Sequence, residues 1–242
     1  MKKPAMILFD YGGTLVRELG FDPVKGTQAV LRHAVSNPRG LGAIQVQAEA
    51  DQINRELGRG NALAEVHNFP FQNYLYASLG IRLDIGNEEI EECFWDGASG
   101  LEATEGIESF LAWLFEKGIR TGVISNLSFS QKALVKRIGR ILPEHHFELI
   151  LASSEVVFRK PSPRIFQLAL TLAGLEADQV WYCGDRPQYD VAGAKGAGLF
   201  PVWYTGALEE EIADEENCLR IGHWDELKKM IEGGEDSDPF RK

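Results

Sequence analysis

Four short apolar runs in this chain are each followed by a polar residue that could take part in chemistry. Asp10, Ser125 and Asp185 come directly after or one residue beyond three of these runs, and Lys160 follows the fourth, just before a helical pattern. Asp190 lies five residues beyond Asp185. Together these residues offer three carboxylates, a hydroxyl and an ammonium group.

The side chains in this group have clear chemical preferences. Carboxylates and a backbone carbonyl form an oxygen site that suits Mg²⁺. A lysine and a serine hydroxyl suit the oxygens of a phosphate group. An aspartate beside a metal ion and a lysine can attack phosphorus, which divides one difficult displacement into two easier ones. Because a single Asp or Ser after a strand is usually a turn or capping residue, it is their shared position that indicates a site.

The elements that must position these residues are short apolar runs, rich in β-branched and aromatic side chains, as is typical of buried parallel strands. The predicted strands are residues 6–9, 121–124, 147–151, 180–183 and 200–204. Helical patterns lie between them, for example at 107–115 and 163–173. The alternation predicts an α/β fold, a Rossmann-like parallel sheet with helices on both faces, whose carboxyl edge binds the ligand.

Residues 17–100 differ from this pattern, with few strand-like runs and several helical ones at 43–57 and 71–79. Asn87 is the predicted N-cap of a further helix reaching Trp95, and residues 69–71 are predicted to be a loop. We interpret residues 17–100 as an inserted α-helical cap domain. The core domain would then be residues 1–16 and 101–232, and residues 233–242 a flexible tail.

The composition limits the classes of function. The chain has 242 residues, of which 44% are hydrophobic, so it can bury a core. Its 36 Asp and Glu against 25 Lys and Arg give a formal net charge of −11. This balance argues against nucleic acid or an anionic membrane surface as a partner. No apolar stretch is long enough to span a bilayer, and no pattern predicts an oligomeric state.

The cysteines indicate the compartment. Cys93, Cys183 and Cys218 are widely separated, so they predict neither a disulfide framework nor a zinc site. The N-terminal apolar run stops at Asp10, which is too short for the core of a signal peptide. We therefore expect a cytoplasmic protein with reduced thiols.

Four stretches of the chain resemble the motifs of the haloacid dehalogenase (HAD) superfamily, in the same order. They are residues 7–15, 123–126, 160–166 and 183–198, and the last is the most specific match. The superfamily consists mostly of Mg²⁺-dependent phosphohydrolases that act on small phosphorylated substrates. The helical insertion after the first motif is also similar to members in which a helical cap closes over the site.

The resemblance implies a role for each matching residue. Asp10 would be the nucleophile that becomes an aspartyl-phosphate. Asp185, together with Asp10 and the carbonyl of Gly12, would hold Mg²⁺, while Asp190 would bind or orient the water shell of the ion. The remaining positions would contact phosphate or order the loops that do so. Ser125 and Lys160 would grip the transferring phosphoryl group, and Thr14 and Asn126 would order the phosphate-binding loops.

Gly12 is where the chain departs from the family pattern, because phosphatases of the family carry a second aspartate there as general acid and base. That catalysis is typically worth about 10²–10⁴-fold in rate. A hydrolase could recruit another group, such as His67 or Glu65 of the insertion, or act on substrates with good leaving groups. Alternatively, the chain could be a catalytically impaired relative that binds a phosphorylated ligand or a protein.

A third possibility is a dehalogenase or phosphonatase chemistry, since the corresponding enzymes also lack the second aspartate. Dehalogenases need no metal, whereas Asp185 and Asp190 resemble a metal motif. Phosphonatases need a lysine in the cap, and residues 17–100 contain only Lys25. A Mg²⁺-dependent phosphatase is therefore the favoured interpretation.

Overall fold

The computed structural model describes residues 2–58, 63–207 and 217–233. In these ranges the strands are β1 (Met6–Phe9), β2 (Val16–Leu19), β3 (Ala34–Ser36), β4 (Arg82–Leu83), β5 (Gly100–Ala103), β6 (Arg120–Ser125), β7 (Phe147–Ala152), β8 (Val180–Gly184), β9 (Phe200–Tyr204) and β10 (Leu219–Ile221).

The helices are α1 (Pro23–Leu31), α2 (Ala43–Glu56), α3 (Asn68–Ser78), α4 (Asn87–Ala98), α5 (Ile107–Glu116), α6 (Gln131–Ile141), α7 (Ser153–Val156), α8 (Pro163–Ala173), α9 (Ala192–Gly196) and α10 (Trp224–Gly233). A π-helical turn, Pro187–Val191, precedes α9. The predicted tail lies outside the described residues except for Gly233. No helix in the described ranges combines the length and apolarity needed to cross a membrane.

Six strands form a parallel sheet in the order β10-β9-β8-β1-β6-β7. The chain leaves β1 towards β6 and β7 on one side, and later returns through β8 on the other. The carboxyl ends of β1, β6 and β8 therefore surround the point where the strand order reverses, which is where open α/β sheets bind ligands. The predicted parallel sheet is confirmed. The strand β10 was not predicted because three residues are too few to show a pattern.

Both faces of the sheet are covered, as β1 shows. Ile7 and Phe9 pack in the hydrophobic cluster beneath α5, α6 and α10. Met6 and Leu8 point the other way, into the cluster beneath α8 and α9. All four side chains are completely buried. Successive side chains of a strand point to opposite faces, so a four-residue strand that is apolar throughout requires helices on both sides.

The helices α1 to α4 lie in the insertion, residues 17–100, which is called the helical segment below. They share a hydrophobic cluster of their own, which includes Val30, Val46, Leu75 and Ile90. The chain enters the segment through β2 and leaves it through β5, and these two strands pair antiparallel. The two ends of the segment are thus held together beside the sheet.

Two details of the helical segment differ from the prediction. Residues 69–71 are not a loop, because α3 begins at Asn68; Pro70 fits in its first turn, where a backbone N–H would have no helical partner. His67 caps this helix, its Nδ1 accepting from the Phe69 N–H at 3.0 Å. Asn87 is not an N-cap but the first residue of α4, since Gly86 occupies the cap and donates its N–H to Glu89 at 3.0 Å.

Helix α4 of the helical segment packs against α6 with complementary charges. The ion pairs, in order along both helices, are Glu88 with Lys132, Glu92 with Lys136, and Asp96 with Arg140. Successive pairs are four residues apart on each helix, which is about one turn. These pairs are partly exposed and each contributes little to stability. They do, however, match one helix to the other in register.

A buried carboxylate lies at the centre of this contact. Glu91 of α4 is completely buried. Its oxygens accept from the Ser130 N–H at 3.1 Å and from the Ser130 Oγ at 2.6 Å. The Asn68 amide donates to the same carboxylate at 3.2 Å. Glu91 thus joins α3 and α4 to the N-cap of α6.

We expect Glu91→Ala to lower the free energy of unfolding by about 1–3 kcal/mol, because it leaves buried donors of Ser130 and Asn68 without an acceptor. Glu88→Ala, which removes a partly exposed partner of Lys132, should cost at most about 1 kcal/mol. Urea denaturation of both variants measures the difference. Equal losses in the two variants would contradict the role of Glu91.

Candidate active site

The carboxyl edge of the sheet brings the predicted polar residues together. Asp10 follows β1, Ser125 ends β6 and Asp185 follows β8. Because β6 and β8 are the two neighbours of β1, these side chains converge on one place. A cavity of about 370 Å³ opens there. The predicted residues that line it are Asp10, Gly12, Ser125, Asn126, Lys160 and Asp190.

Lys160 lies at the floor of this site, with 3% of its surface exposed. Its ammonium donates to Asp10 Oδ1, to Asp190 Oδ1 and to the Tyr182 hydroxyl, each at 2.7 Å. The Tyr182 hydroxyl in turn donates to the Ile124 carbonyl at 3.1 Å. All three protons of the ammonium therefore have acceptors. A buried charge needs such partners to offset its loss of hydration.

The side chain of Asn126 holds the backbone of Lys160. Its Nδ2 donates to the Lys160 carbonyl at 2.9 Å, and its Oδ1 accepts from the Lys160 N–H at 2.7 Å. This pair of bonds joins the end of β6 to the loop before α8. The loop includes a cis peptide bond between Lys160 and Pro161. Asn126 thus positions the lysine that bonds to Asp10.

Three carboxylates stand close together above Lys160. Asp10, Asp185 and Asp190 each offer one oxygen, and these atoms lie within 4.8 Å of one another. Asp190 is held by the π-helical turn, where its Oδ2 accepts from the Arg186 N–H at 2.9 Å. Asp185 Oδ1 is buried and has no hydrogen-bond partner among the described residues. The cluster therefore has oxygen atoms available to a further ligand.

The crowding of negative charge changes the acidity of the cluster. Burial, together with the carboxylates of Asp10 and Asp190, raises the pKa of Asp185 to about 8. Burial also raises the pKa of Asp190, although Lys160 opposes the shift. For Lys160 itself, burial lowers the pKa, but the carboxylates of Asp10 and Asp190 outweigh it and the net shift is upward. One ammonium thus faces more carboxylate than it can neutralise.

Two glycines allow the close approach of backbone and carboxylate. Gly13 has a φ of +75°, and a Cβ there would overlap the Asp185 carboxylate. A Cβ on Gly184 would overlap the side chain of Asp190. Gly12 is different, because a Cβ built on it would meet no atom within 4 Å. The glycine at position 12 is therefore not required by packing.

Some predicted residues lie elsewhere. Thr14 is completely buried, and its carbonyl accepts from the Thr104 hydroxyl at 2.7 Å. Glu65 bonds to the Ser153 hydroxyl at 2.9 Å, and His67 lies 3.4 Å from a carboxylate oxygen of Glu155. None of Thr14, Glu65 and His67 belongs to the described lining of the cavity.

The structure also brings in residues that the sequence did not single out. Tyr182 bonds to Lys160, and Glu18, Arg159 and Arg186 line the cavity. Tyr182 lies within a predicted buried strand, and its sequence context therefore does not predict a hydrogen bond to a lysine. The pair Asp185-Arg186 was visible, but a lone arginine beside an aspartate is common. Trp95, the residue that the helix predicted from Asn87 reaches, also lines the cavity.

The chain belongs to the haloacid dehalogenase-like hydrolases, because residues 5–198 match that family. A phosphoserine phosphatase of Thermus thermophilus is 34% identical over 134 residues, which cover 55% of this chain and 53% of that protein. A glyceraldehyde 3-phosphate phosphatase of Methanothermobacter thermautotrophicus is 33% identical over 127 residues, which cover 51% of this chain and 55% of that protein. The chain thus spans about half the length of these relatives.

A solved structure extends the likeness over nearly the whole chain. The HAD phosphatase from Thermococcus onnurineus superposes with a TM-score of 0.65 at 22% identity, covering 94% of this chain and 98% of that one. At that identity the likeness concerns the fold. The match includes the helical segment as well as the sheet, because so much of both chains is covered.

In metal-free solution we expect the free energy of unfolding to fall as the pH rises from about 4 to about 8. The folded chain keeps the proton of Asp185 up to about pH 8, whereas an unfolded aspartate loses it near pH 4. Stability from this group is therefore complete below about pH 4 and is lost as the pH rises through the folded pKa.

Chemical denaturation in EDTA across this pH range tests the expectation. Asp185→Asn should flatten the profile and be more stable than the wild type above pH 8. Asp178→Asn, which changes an exposed aspartate, should keep the wild-type slope. A wild-type profile that is flat between pH 4 and 8 would show that Asp185 has an ordinary pKa.

Proposed function

We propose that this chain is a Mg²⁺-dependent phosphohydrolase that acts on a small phosphorylated metabolite through an aspartyl-phosphate on Asp10. The observation that carries the proposal is the bond between Lys160 and Asp10 inside the carboxylate cluster, at the open end of a parallel sheet. Membership of the HAD-like hydrolases supports it. So do the two relatives named as phosphatases of small molecules.

The donor atoms fit Mg²⁺. The ion prefers carboxylate and carbonyl oxygens and keeps several of its waters. Asp10, Asp185 and the Gly12 carbonyl would hold it, and Asp190 would orient its water shell. The Asp185 Oδ1 atom supports this assignment, because it is buried and no described residue donates a hydrogen bond to it. When bound, the ion would offset the charge of the cluster and of the phosphate.

Each residue of the site would then have its own role in the reaction. The Asp10 carboxylate would attack phosphorus, and Lys160 would hold that carboxylate in place while it contributes positive charge. The Ser125 hydroxyl, at the end of β6, would donate to a phosphoryl oxygen. Asn126 would keep Lys160 positioned through the two backbone bonds described above, and Thr14 would order the loop after β1.

We further propose that the helical segment, residues 17–100, is a cap domain over a core of residues 1–16 and 101–232. Trp95 of α4 lines the same cavity as Asp10, which supports a role of the segment in closing the site. Arg159 and Arg186 are lining residues that could receive a second anionic group of the substrate. The thiols of Cys93 and Cys183 support a reducing, cytoplasmic location.

A catalytically impaired phosphate-binding protein is the second candidate, and Gly12 is the observation that favours it. The loss of the usual acid and base could leave a site that binds phosphate but turns over slowly. The dehalogenase and phosphonatase alternatives find less support. The clustered carboxylates suit a metal, and Lys25, the single lysine of the helical segment, is exposed.

We expect Mg²⁺-dependent hydrolysis of p-nitrophenyl phosphate and acetyl phosphate by the purified protein. Asp10→Asn should reduce kcat by about 10⁴–10⁶-fold, since a nucleophile is lost. Mass spectrometry of the phosphorylated enzyme should locate the phosphoryl group on Asp10. Asp225→Asn, which makes the same chemical change at an exposed position, should leave the rate unchanged.

Two results would reject the phosphatase proposal. One is full activity in Asp10→Asn, which would exclude this residue as the nucleophile. The other is an inactive wild type whose Gly12→Asp variant hydrolyses phosphate esters with Mg²⁺, which would identify the natural chain as the impaired binding protein.

A further inference from the structure

The cavity has an empty space at the position where the proposed reaction needs a proton-transfer group. Gly12 lines the cavity, and a Cβ built on it would meet nothing within 4 Å. A side chain that replaces the missing carboxylate must therefore reach this space from another element.

Glu18 is the one carboxylate in the described lining besides Asp10 and Asp190. The lining arginines, Arg159 and Arg186, cannot serve, because a guanidinium does not give up its proton in proteins. Glu18 is partly exposed, with 30% of its side chain accessible. As a lining residue, Glu18 borders the same cavity as Asp10.

The phenols of the lining are less suitable. A free tyrosine titrates near pH 10, far from the neutral range in which proton transfer works best. Burial raises the pKa of Tyr11 to about 12. Among the described lining residues, Glu18 is therefore the best candidate for proton transfer.

The turn after β1 connects Gly12 to β2, the strand that carries Glu18. The Gly13 N–H donates to the Val16 carbonyl at 2.8 Å, and the Val16 N–H donates to the Tyr11 carbonyl at 3.1 Å. These bonds place the start of β2 beside Gly12. Glu18 is two residues further along the strand, about 7 Å from Val16. The longer side chain of glutamate can span part of that distance.

Trp95 and Arg137 fix one oxygen of Glu18. The Trp95 indole N–H donates to Glu18 Oε1 at 2.7 Å, and Arg137 lies 3.7 Å from the same oxygen. Arg137 is itself buried, stacks over the Trp95 ring at 4.3 Å and pairs with Asp96 at 3.1 Å. Both contacts of the carboxylate fall on Oε1, so neither of them occupies Oε2.

We propose that Glu18 is the general acid and base of this chain and replaces the carboxylate that Gly12 lacks. This inference rests on the proposed phosphatase function. The general acid and base would then lie on β2, the strand that leads into the helical segment.

The proton would move in a closed cycle. In the first step, protonated Glu18 gives its proton to the leaving oxygen while Asp10 forms a bond to phosphorus, so that an alcohol departs. In the second step, the Glu18 carboxylate takes a proton from the water that attacks the aspartyl-phosphate. Phosphate is released, the Asp10 carboxylate is restored and Glu18 is protonated again. No further reactant is needed.

The test is Glu18→Gln, which keeps an acceptor for the Trp95 indole but cannot transfer a proton. With an alkyl phosphate, kcat should fall by about 10²–10⁴-fold. With p-nitrophenyl phosphate the leaving group departs as a stabilised anion, so the first step should survive. The variant should release a burst of about one nitrophenol per active site, followed by slow turnover as the aspartyl-phosphate accumulates.

Two further variants make the experiment specific. Glu102→Gln changes an exposed carboxylate on β5, the partner strand of β2, and should leave both reactions at the wild-type rate. Gly12→Asp introduced into Glu18→Gln should restore steady turnover and remove the burst, because the open space at position 12 accepts the new side chain. Circular dichroism confirms that each variant is folded.

The outcomes separate the two proposals. If the wild type is active and Glu18→Gln is equally active on the alkyl phosphate, the Glu18 inference is wrong and the phosphatase proposal stands. The Glu18 inference would also be wrong if Glu18→Gln lost the same activity on both substrates, showed no burst and was not rescued by Gly12→Asp. Such a uniform loss is the result expected of a purely structural role. If the wild type lacks Mg²⁺-dependent turnover, both proposals fail together.

Discussion

The buried ammonium of Lys160 is the interaction on which the site depends. Three aspartates within a few ångströms of one another repel, and burial adds the cost of lost hydration. Lys160 offsets part of that cost through bonds to Asp10 and Asp190. The raised pKa of Asp185 shows that the compensation is incomplete. The Mg²⁺ of the proposed function would relieve this imbalance, because a divalent ion supplies positive charge.

The fold serves this charge cluster in several ways. The reversal of strand order at β1 brings three strand ends to one place. The Asn126 amide holds the loop that carries Lys160, and the glycines at 13 and 184 let carboxylates approach the backbone. The proposed anionic substrate is compatible with a strongly acidic chain, since a few charges matched at short range outweigh the net charge of the whole molecule.

The helical segment contributes from the other side of the cavity. Its charges along α4 match those along α6, and Glu91 bonds to the N-cap of α6. The same contact places Trp95 and Arg137 around Glu18. The residues that join the segment to the sheet are thus continuous with those that orient a carboxylate in the cavity. Arg137 of α6 thus contacts both Asp96 of α4 and the Glu18 carboxylate.

The sequence by itself determined the parallel sheet and most of the polar residues at its edge. Short apolar strands such as residues 6–9 must be buried on both faces, and parallel strands present their carboxyl ends together, so Asp10, Ser125 and Asp185 could be assigned to one site. Only the tertiary structure decided the bond of Tyr182 to Lys160, the pairing of β2 with β5 and the location of Glu18 in the cavity. Such contacts join residues far apart in the chain, and local pattern does not record which distant surfaces meet. The acidic face of α4 and the basic face of α6 are both visible in the sequence, but only packing shows that they face each other.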